Sequence, residues 1–453
     1  MTLALEINDA GLLLARDGQV VAEEPGCAML DGREPQTGAA ALGRARLKPM
    51  HAETRYWQDL GTAPLQRKAA AAASHAEIAH AQLAALARAA GGGDTLYAVP
   101  PWYTREQLAV LLGVAHEAGL PAVGLVDAAL AAAALEPAPG FALQLEMTLH
   151  RAVITELEHA GDLRRVRCEM LPQHGWLALQ QAWVEAIAAA FVRNTRYDPL
   201  HEAAGEQRLW DGLPGWLEAV ERDGAVTVEL PAAGTTRTVE IGRELLQDAG
   251  HAVCDAVAQA LQRARPAGAP LHVRVSHRWR LVPGFMQRLA ELRDCEVRLL
   301  PRGAAALGAL AFERELRRDP AQLTLVQRLP VAPARGSMPA TASPVTAMDV
   351  PTHVVHLGRA WSLAGAALHV GAAIPAGQRG FAVVAGPGVS RVHCRLGLDA
   401  QGAWLEDLST YGTFLNGERV GGRVALRAGD RLRLGNPGVS LELVRVVDGD
   451  GAA

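Results

Sequence analysis

Residues Gly388 to Gly435 read GVSRVHCRLGLDAQGAWLEDLSTYGTFLNGERVGGRVALRAGDRLRLG. Short apolar runs alternate with turn residues throughout. Val392–Leu396, Ala403–Leu408 and Arg431–Leu434 each suit a half-buried strand. Asp399–Gly402, Asn416-Gly417 and Gly429-Asp430 supply turns between them, and Asn-Gly is a strong hairpin signal. Few positions could start a helix. The stretch predicts a small antiparallel β-sandwich of about 100 residues.

Composition bounds the rest. The chain has 453 residues, 49% of them hydrophobic and 20% charged, which is globular and long enough for two or three domains. A formal net charge of −4 gives no electrostatic case for nucleic acid or an anionic membrane. Five scattered cysteines without a C-x-x-C pair read as reduced thiols of a cytoplasmic protein. Met1 to Asn8 has Glu6 and no basic stretch, so no secretion signal is expected. No apolar run is long enough to span a bilayer, so no membrane insertion is expected.

The quoted residues resemble the forkhead-associated (FHA) family, a β-sandwich that binds phosphothreonine peptides. Ser390-Arg391-Val392-His393, Asp407 to Gly417, Gly429-Asp430 and Leu434-Gly435 carry the resemblance. It implies a phosphate site in which Ser390 and Thr410 hold the phosphate, Arg391 stands beside the serine, and His393 anchors the loop. Tyr411 replaces the asparagine that binds the peptide backbone in the family. The family's Gly-Arg is best matched by Gly371-Ala372, where the arginine is missing. Gly358-Arg359 has the right letters but lies far upstream, and Arg379 is the candidate substitute. Arginine supplies the strong, charge-assisted part of phosphate binding, so its loss weakens the expected affinity.

Upstream, strands and helices alternate. Strands are expected at Leu3–Ile7, Gly11–Ala15, Thr95–Val99, Val123–Val126, Phe141–Leu149, Arg151–Leu157, His272–Val275 and Glu296–Leu300. A hairpin is expected at Val226–Leu230 and Arg237–Ile241. Helices are expected at Leu65–Ala90, Arg105–Ala118, Asp127–Leu135, Trp176–Asn194, Glu202–Val220, Arg243–Arg265, Pro283–Glu291 and Gly303–Arg318. Gly26 to Arg55 is expected to be irregular. From Ala321 to Pro351, five prolines sit among Ala, Ser and Thr, which predicts an extended linker. The domains are therefore 1–320 (α/β), 321–351 (linker) and 352–447 (β-sandwich).

Val99 to Gln107, Ala118-Gly119-Leu120 and Val126 to Ala132 make the first domain resemble the two-lobed actin-like ATPase fold. The nearest pattern is the ATPase domain of the seventy-kilodalton heat-shock chaperones. That resemblance implies nucleotide contacts at three segments, here Glu6 to Ala10, Gln144 to Thr148, and Val273 to Phe285. The glycines that let backbone N–H groups approach phosphate are missing from all three. The module is therefore expected to be degenerate, with Glu6, Glu146 and His277 as surface or turn residues. No G-x-S-x-G, P-loop or H-E-x-x-H motif occurs. His353, His356 and His369 lack clustered partners for a metal. No catalytic residue, cofactor or metal ligand is assigned.

The expected function is a cytoplasmic, bacterial-type signalling adaptor that binds threonine-phosphorylated protein partners and is not an enzyme. The alternatives are an active ATP-dependent chaperone-like or filament-forming protein, and a scaffold that binds partners without phosphate.

Overall fold

The computed structural model describes residues 2–446 apart from 233, 266–269, 320–321, 332–349, 357–358, 376, 384–387, 400–401, 410–411, 416–417, 421–422 and 436–437. The chain divides into two compact units with a boundary between residues 339 and 340.

The N-terminal unit begins with an antiparallel meander of β1 (Leu3–Glu6), β2 (Leu12–Arg16) and β3 (Gln19–Glu24). Asp17 and Gly18 both have positive φ and make the tight turn that Asp-Gly favours. The segment expected to be irregular, 26–55, contains β4 (Ala28–Met29), β5 (Gln36–Thr37), α1 (Ala39–Leu42) and β6 (Ala52–Glu53). These close over Cys27, Met29, Ala41 and Ala45. Two-residue strands are too short for alternation to reveal.

Helix α2 (His75–Ala90) is shorter than the expected 65–90. Ser74 caps it by accepting the Glu77 N–H, and Gly91 ends it at φ 89°. Then follow β7 (Thr95–Val99), α3 (Arg105–Glu117), β8 (Ala122–Asp127) and α4 (Ala128–Ala134). Thr104 and Gln107 bond reciprocally at the start of α3, a cap that stabilises by about 1 kcal/mol.

A second meander follows: β9 (Gly140–Met147), β10 (Arg151–His159) and β11 (Leu163–Pro172). Strand β11 is absent from the sequence reading because three arginines break up its apolar alternation. Next come α5 (Trp176–Thr195), α6 (Ala203–Asp223), the hairpin β12 (Ala225–Ala232) and β13 (Thr235–Gly242), and α7 (Arg243–Ala264). After β14 (Leu271–Val275), α8 (Phe285–Ala290) and β15 (Cys295–Leu299), the single helix expected at 303–318 is two. These are α9 (Ala304–Ala311) and α10 (Glu313–Leu316), separated by the non-helical Phe312 (φ −109°, ψ 26°). The expected linker also starts too early. Leu325–Val326 (β16) pairs with β8, and Arg328–Leu329 (β17) pairs with β11. Leu329 is buried, so 325–329 belongs to the sheets.

The two six-stranded sheets run β16-β8-β7-β1-β2-β3 and β15-β14-β9-β10-β11-β17. Each meander is extended on its first strand by parallel strands, β7 and β8 in one sheet and β14 and β15 in the other, so five strands of the second half repeat the order of the first, while the sixth differs: β16 lies beside β8 and β17 beside β11. Helices α4 and α9 lie between the halves in an alanine-rich core that draws Ala4, Leu96 and Ala98 from one sheet and Leu157, Leu163 and Leu329 from the other. At Gly308 in α9, a Cβ would stand 2.0 Å from the Ala131 carbonyl oxygen of α4.

The C-terminal unit is a β-sandwich. In order it has β18 (His353–His356), β19 (Arg359–Ser362), β20 (Leu368–Gly371), β21 (Gly380–Ala382), β22 (Cys394–Asp399), β23 (Gly402–Asp407), β24 (Thr413–Leu415), β25 (Glu418–Arg419), β26 (Arg423–Ala425), β27 (Arg431–Gly435) and β28 (Gly438–Val444). Among the described residues these form one sheet of order β19-β18-β28-β27-β24-β25 and another of order β21-β20-β22-β23-β26. Val354, Val370, Leu396, Leu405, Leu432 and Leu443 lie in the core between them. Asn416-Gly417 falls outside the described residues. His393 is fully buried. Its Nδ1 accepts the Ser390 N–H at 3.0 Å, and its Nε2 meets the Gly412 carbonyl at 3.2 Å. That arrangement requires the neutral ring with the proton on Nε2.

Two outcomes are expected. Gly308→Ala forces α4 and α9 apart and should destabilise the N-terminal unit by about 1–3 kcal/mol in urea unfolding. Burial holds the His393 imidazole below its ordinary range, against the Gly412 bond and Asp407, which pull it up. The unfolded chain takes up a proton near the ordinary histidine value of about 6.5, which the folded chain resists. Stability present above that pH should therefore fall as pH drops through it. Calorimetry of the full chain between pH 7.5 and 5.5 should show the C-terminal transition moving down, with the slope reduced in His393→Gln.

Candidate functional site

Two groups of polar residues stand out, one in each unit. In the C-terminal unit, the loop 388–393 lies between the end of β20 and the end of β23. Ala372 donates its N–H to the Ser390 carbonyl and Ala373 to that of Arg391, both at 2.9 Å, and Leu408 donates to the His393 carbonyl at 2.9 Å. Gly371 makes this approach possible, since a Cβ there would meet the Arg391 carbonyl oxygen at 2.0 Å. Ala372 therefore sits directly beside Ser390.

The neighbouring loop is braced from both ends. Asp407 Oδ1 accepts the Thr413 hydroxyl at 2.8 Å and the Ser409 N–H at 3.1 Å. The Ser409 hydroxyl accepts the Gly412 N–H at 2.7 Å. Burial alone would raise the Asp407 carboxyl, but these bonds outweigh it and hold the group below its ordinary range. The carbonyl of Gly412 is shared by His393 and the Gly435 N–H, which ties both loops to β27.

Of the expected phosphate-site residues, Ser390 and Arg391 lie together on the first loop. Thr410 and Tyr411 fall outside the described residues. Arg391 is exposed, and its guanidinium has no hydrogen bond or ion pair among the described residues. Arg379 does not fill the missing arginine's place. It donates to the carbonyls of Ala364 (2.7 Å), Ala366 (2.8 Å) and Ser362 (2.5 Å), so it clamps the turn before β20. Arg359 begins β19, and Gly358 is outside the described residues.

In the N-terminal unit, the three segments expected to contact a nucleotide do converge. Asn8 Nδ2 donates to the Met147 carbonyl at 3.1 Å, and the Ser276 N–H to the Leu145 carbonyl at 2.9 Å. Arg278, on a 3-10 turn after β14, reaches across to Glu6 at 2.8 Å and the Gly11 carbonyl at 2.7 Å, and lies 3.4 Å from Glu146. Glu6 is not the surface residue expected from sequence, since only 3% of it is exposed. Burial raises its carboxyl against the pull of Arg278, and Glu146 adds to the rise. Burial likewise pushes His277 down to about 3, helped by Arg278, Arg302 and Arg280. A cavity of about 20 Å³ remains beside these groups, lined by Asn8, Trp102, Gln144 and Thr148 among others. Arg278 was missed because its partners lie 272 and 132 positions away and no spacing marks it.

Among the described residues, no group of three or more His, Cys, Asp or Glu side chains is arranged to hold a metal. No described helix is long and apolar enough to cross a membrane. The FHA domain model matches residues 377–435. The sandwich continues on both sides of the match, through β18 to β20 before it and β28 after it. No curated protein matches the chain. The match assigns an FHA domain, a protein-interaction module, to the C-terminal unit.

Proposed function

We propose that this chain is a cytoplasmic adaptor whose FHA domain binds threonine-phosphorylated proteins, joined to a non-catalytic, actin-like module. The observation that carries the first part is the pairing of an FHA match with the loop geometry around Ser390. Arg391 offers an exposed guanidinium, without a partner among the described residues, beside a loop held by His393 and Asp407. A preorganised loop binds without first losing conformational freedom. Ala372 in the arginine position, with Arg379 engaged elsewhere, favours weakened phosphate binding and keeps the phosphate-independent scaffold as a second reading.

The repeated strand order of the two halves supports the actin-like reading, as does the convergence of its three expected contact segments. The cleft argues against nucleotide. Its carboxylates repel a triphosphate, and a space of about 20 Å³ holds about one water molecule.

Phosphopeptide-library binding should separate these readings. Ser390→Ala should remove most of the preference for phosphothreonine over threonine while the domain stays folded. A charged hydrogen bond contributes about 1.5–3 kcal/mol, so Ala372→Arg should tighten binding about tenfold or more. Equal affinity for phosphorylated and plain peptides, unchanged in Ser390→Ala, would leave the scaffold reading standing. Millimolar Mg-ATP should leave the melting temperature of the full chain unchanged, because a ligand of the folded state must raise it. ATP hydrolysis should be undetectable.

A further inference from the structure

The contacts of Arg278 define a site of their own. Glu6 closes β1, Gly11 lies in the turn before β2, and Glu146 is on β9. These come from both halves of the N-terminal unit, and each turns an acceptor oxygen toward Arg278, at 2.8, 2.7 and 3.4 Å. The side chains of Arg278 and Glu6 are 9% and 5% exposed. Ionised carboxylates and a carbonyl only accept hydrogen bonds, and a guanidinium only donates them. A phosphate, also an acceptor, would find no donor among these three groups and would face two carboxylates. Glu23, paired with Arg302, adds a third negative charge that acts on both Glu6 and Arg278.

We propose that the cleft between the two halves is a guanidinium site, occupied by the chain's own Arg278, which holds the halves together with no external ligand. The planar fork suits the arrangement, because one nitrogen faces both carboxylates and a second faces the carbonyl. A lysine ammonium is a point charge on a flexible stem and cannot span all three acceptors with fixed geometry. Removing the guanidinium leaves the buried Glu6 carboxylate unpaired beside the partly exposed Glu146 carboxylate, which is costly. This inference is independent of the FHA reading.

The test uses the full chain. Arg278→Ala should lower the melting temperature by about 5 °C or more. Ethylguanidinium at millimolar concentration should restore much of that loss in Arg278→Ala, should not move the wild type, and should fail in the double variant Glu6→Gln/Arg278→Ala. Inorganic phosphate and Mg-ATP should restore nothing. Should Arg278→Ala not fold, Arg278→Lys keeps the charge, and amide exchange over 6–11 and 144–149 should quicken in it. Wild-type stability in Arg278→Ala, rescue by phosphate or Mg-ATP but not by ethylguanidinium, or wild-type exchange in Arg278→Lys would each overturn the proposal.

Discussion

The close crossing of α4 and α9 is the contact on which the N-terminal unit depends. Gly308 lies against the Ala131 carbonyl with no room for a side chain. Around it, Ala132, Ala133, Ala305, Ala306 and Ala309 are all nearly or fully buried. Small residues let two helices fit between two sheets, so the halves, each with a core of its own, also share this third one. That shared core brings β1 and β9 near each other. Glu6 and Glu146 then face the same guanidinium, although they belong to separate meanders. Local chain geometry, helix packing and the charge cluster are successive consequences of one steric allowance.

The two units solve the placement of a charged loop differently. In the sandwich, a neutral buried histidine and a hydrogen-bonded aspartate hold the backbone, and the cation Arg391 stays in water. In the cleft, the cation is buried and the carboxylates come to it. The first arrangement leaves charge available for a partner. The second consumes it internally, because a buried charge must be paired.

Much of the sandwich was legible. Val392 to Leu396 and Ala403 to Leu408 alternate with period two, and the strands begin and end within three residues of those spans. Turn residues and motif spacing located Ser390 and His393 together. The helices of the first unit were legible where caps punctuate them, as at Thr104 and Gly91. Legibility failed where the physics is non-local. Strand β11 is held by its neighbours on both sides and carries arginines that hide its alternation. β16 and β17 look like linker because two-residue strands have no period. Ser74 shows the opposite failure, since an alanine run before it imitates a helix that the cap actually begins later. Arg379 looked available as a phosphate ligand because sequence cannot show that three carbonyls already hold it.

The short stretch from Leu325 to Leu329 has a practical consequence. It is the last partner of β8 on one sheet and of β11 on the other. A fragment cut at residue 320, where composition places the domain end, would unpair Leu125–Val126 of β8 and Leu163–Arg164 of β11. Unpaired edges recruit other chains. Such a fragment would associate through exposed strands and be mistaken for a self-assembling protein, whereas a fragment extended past Val331 keeps both edges covered.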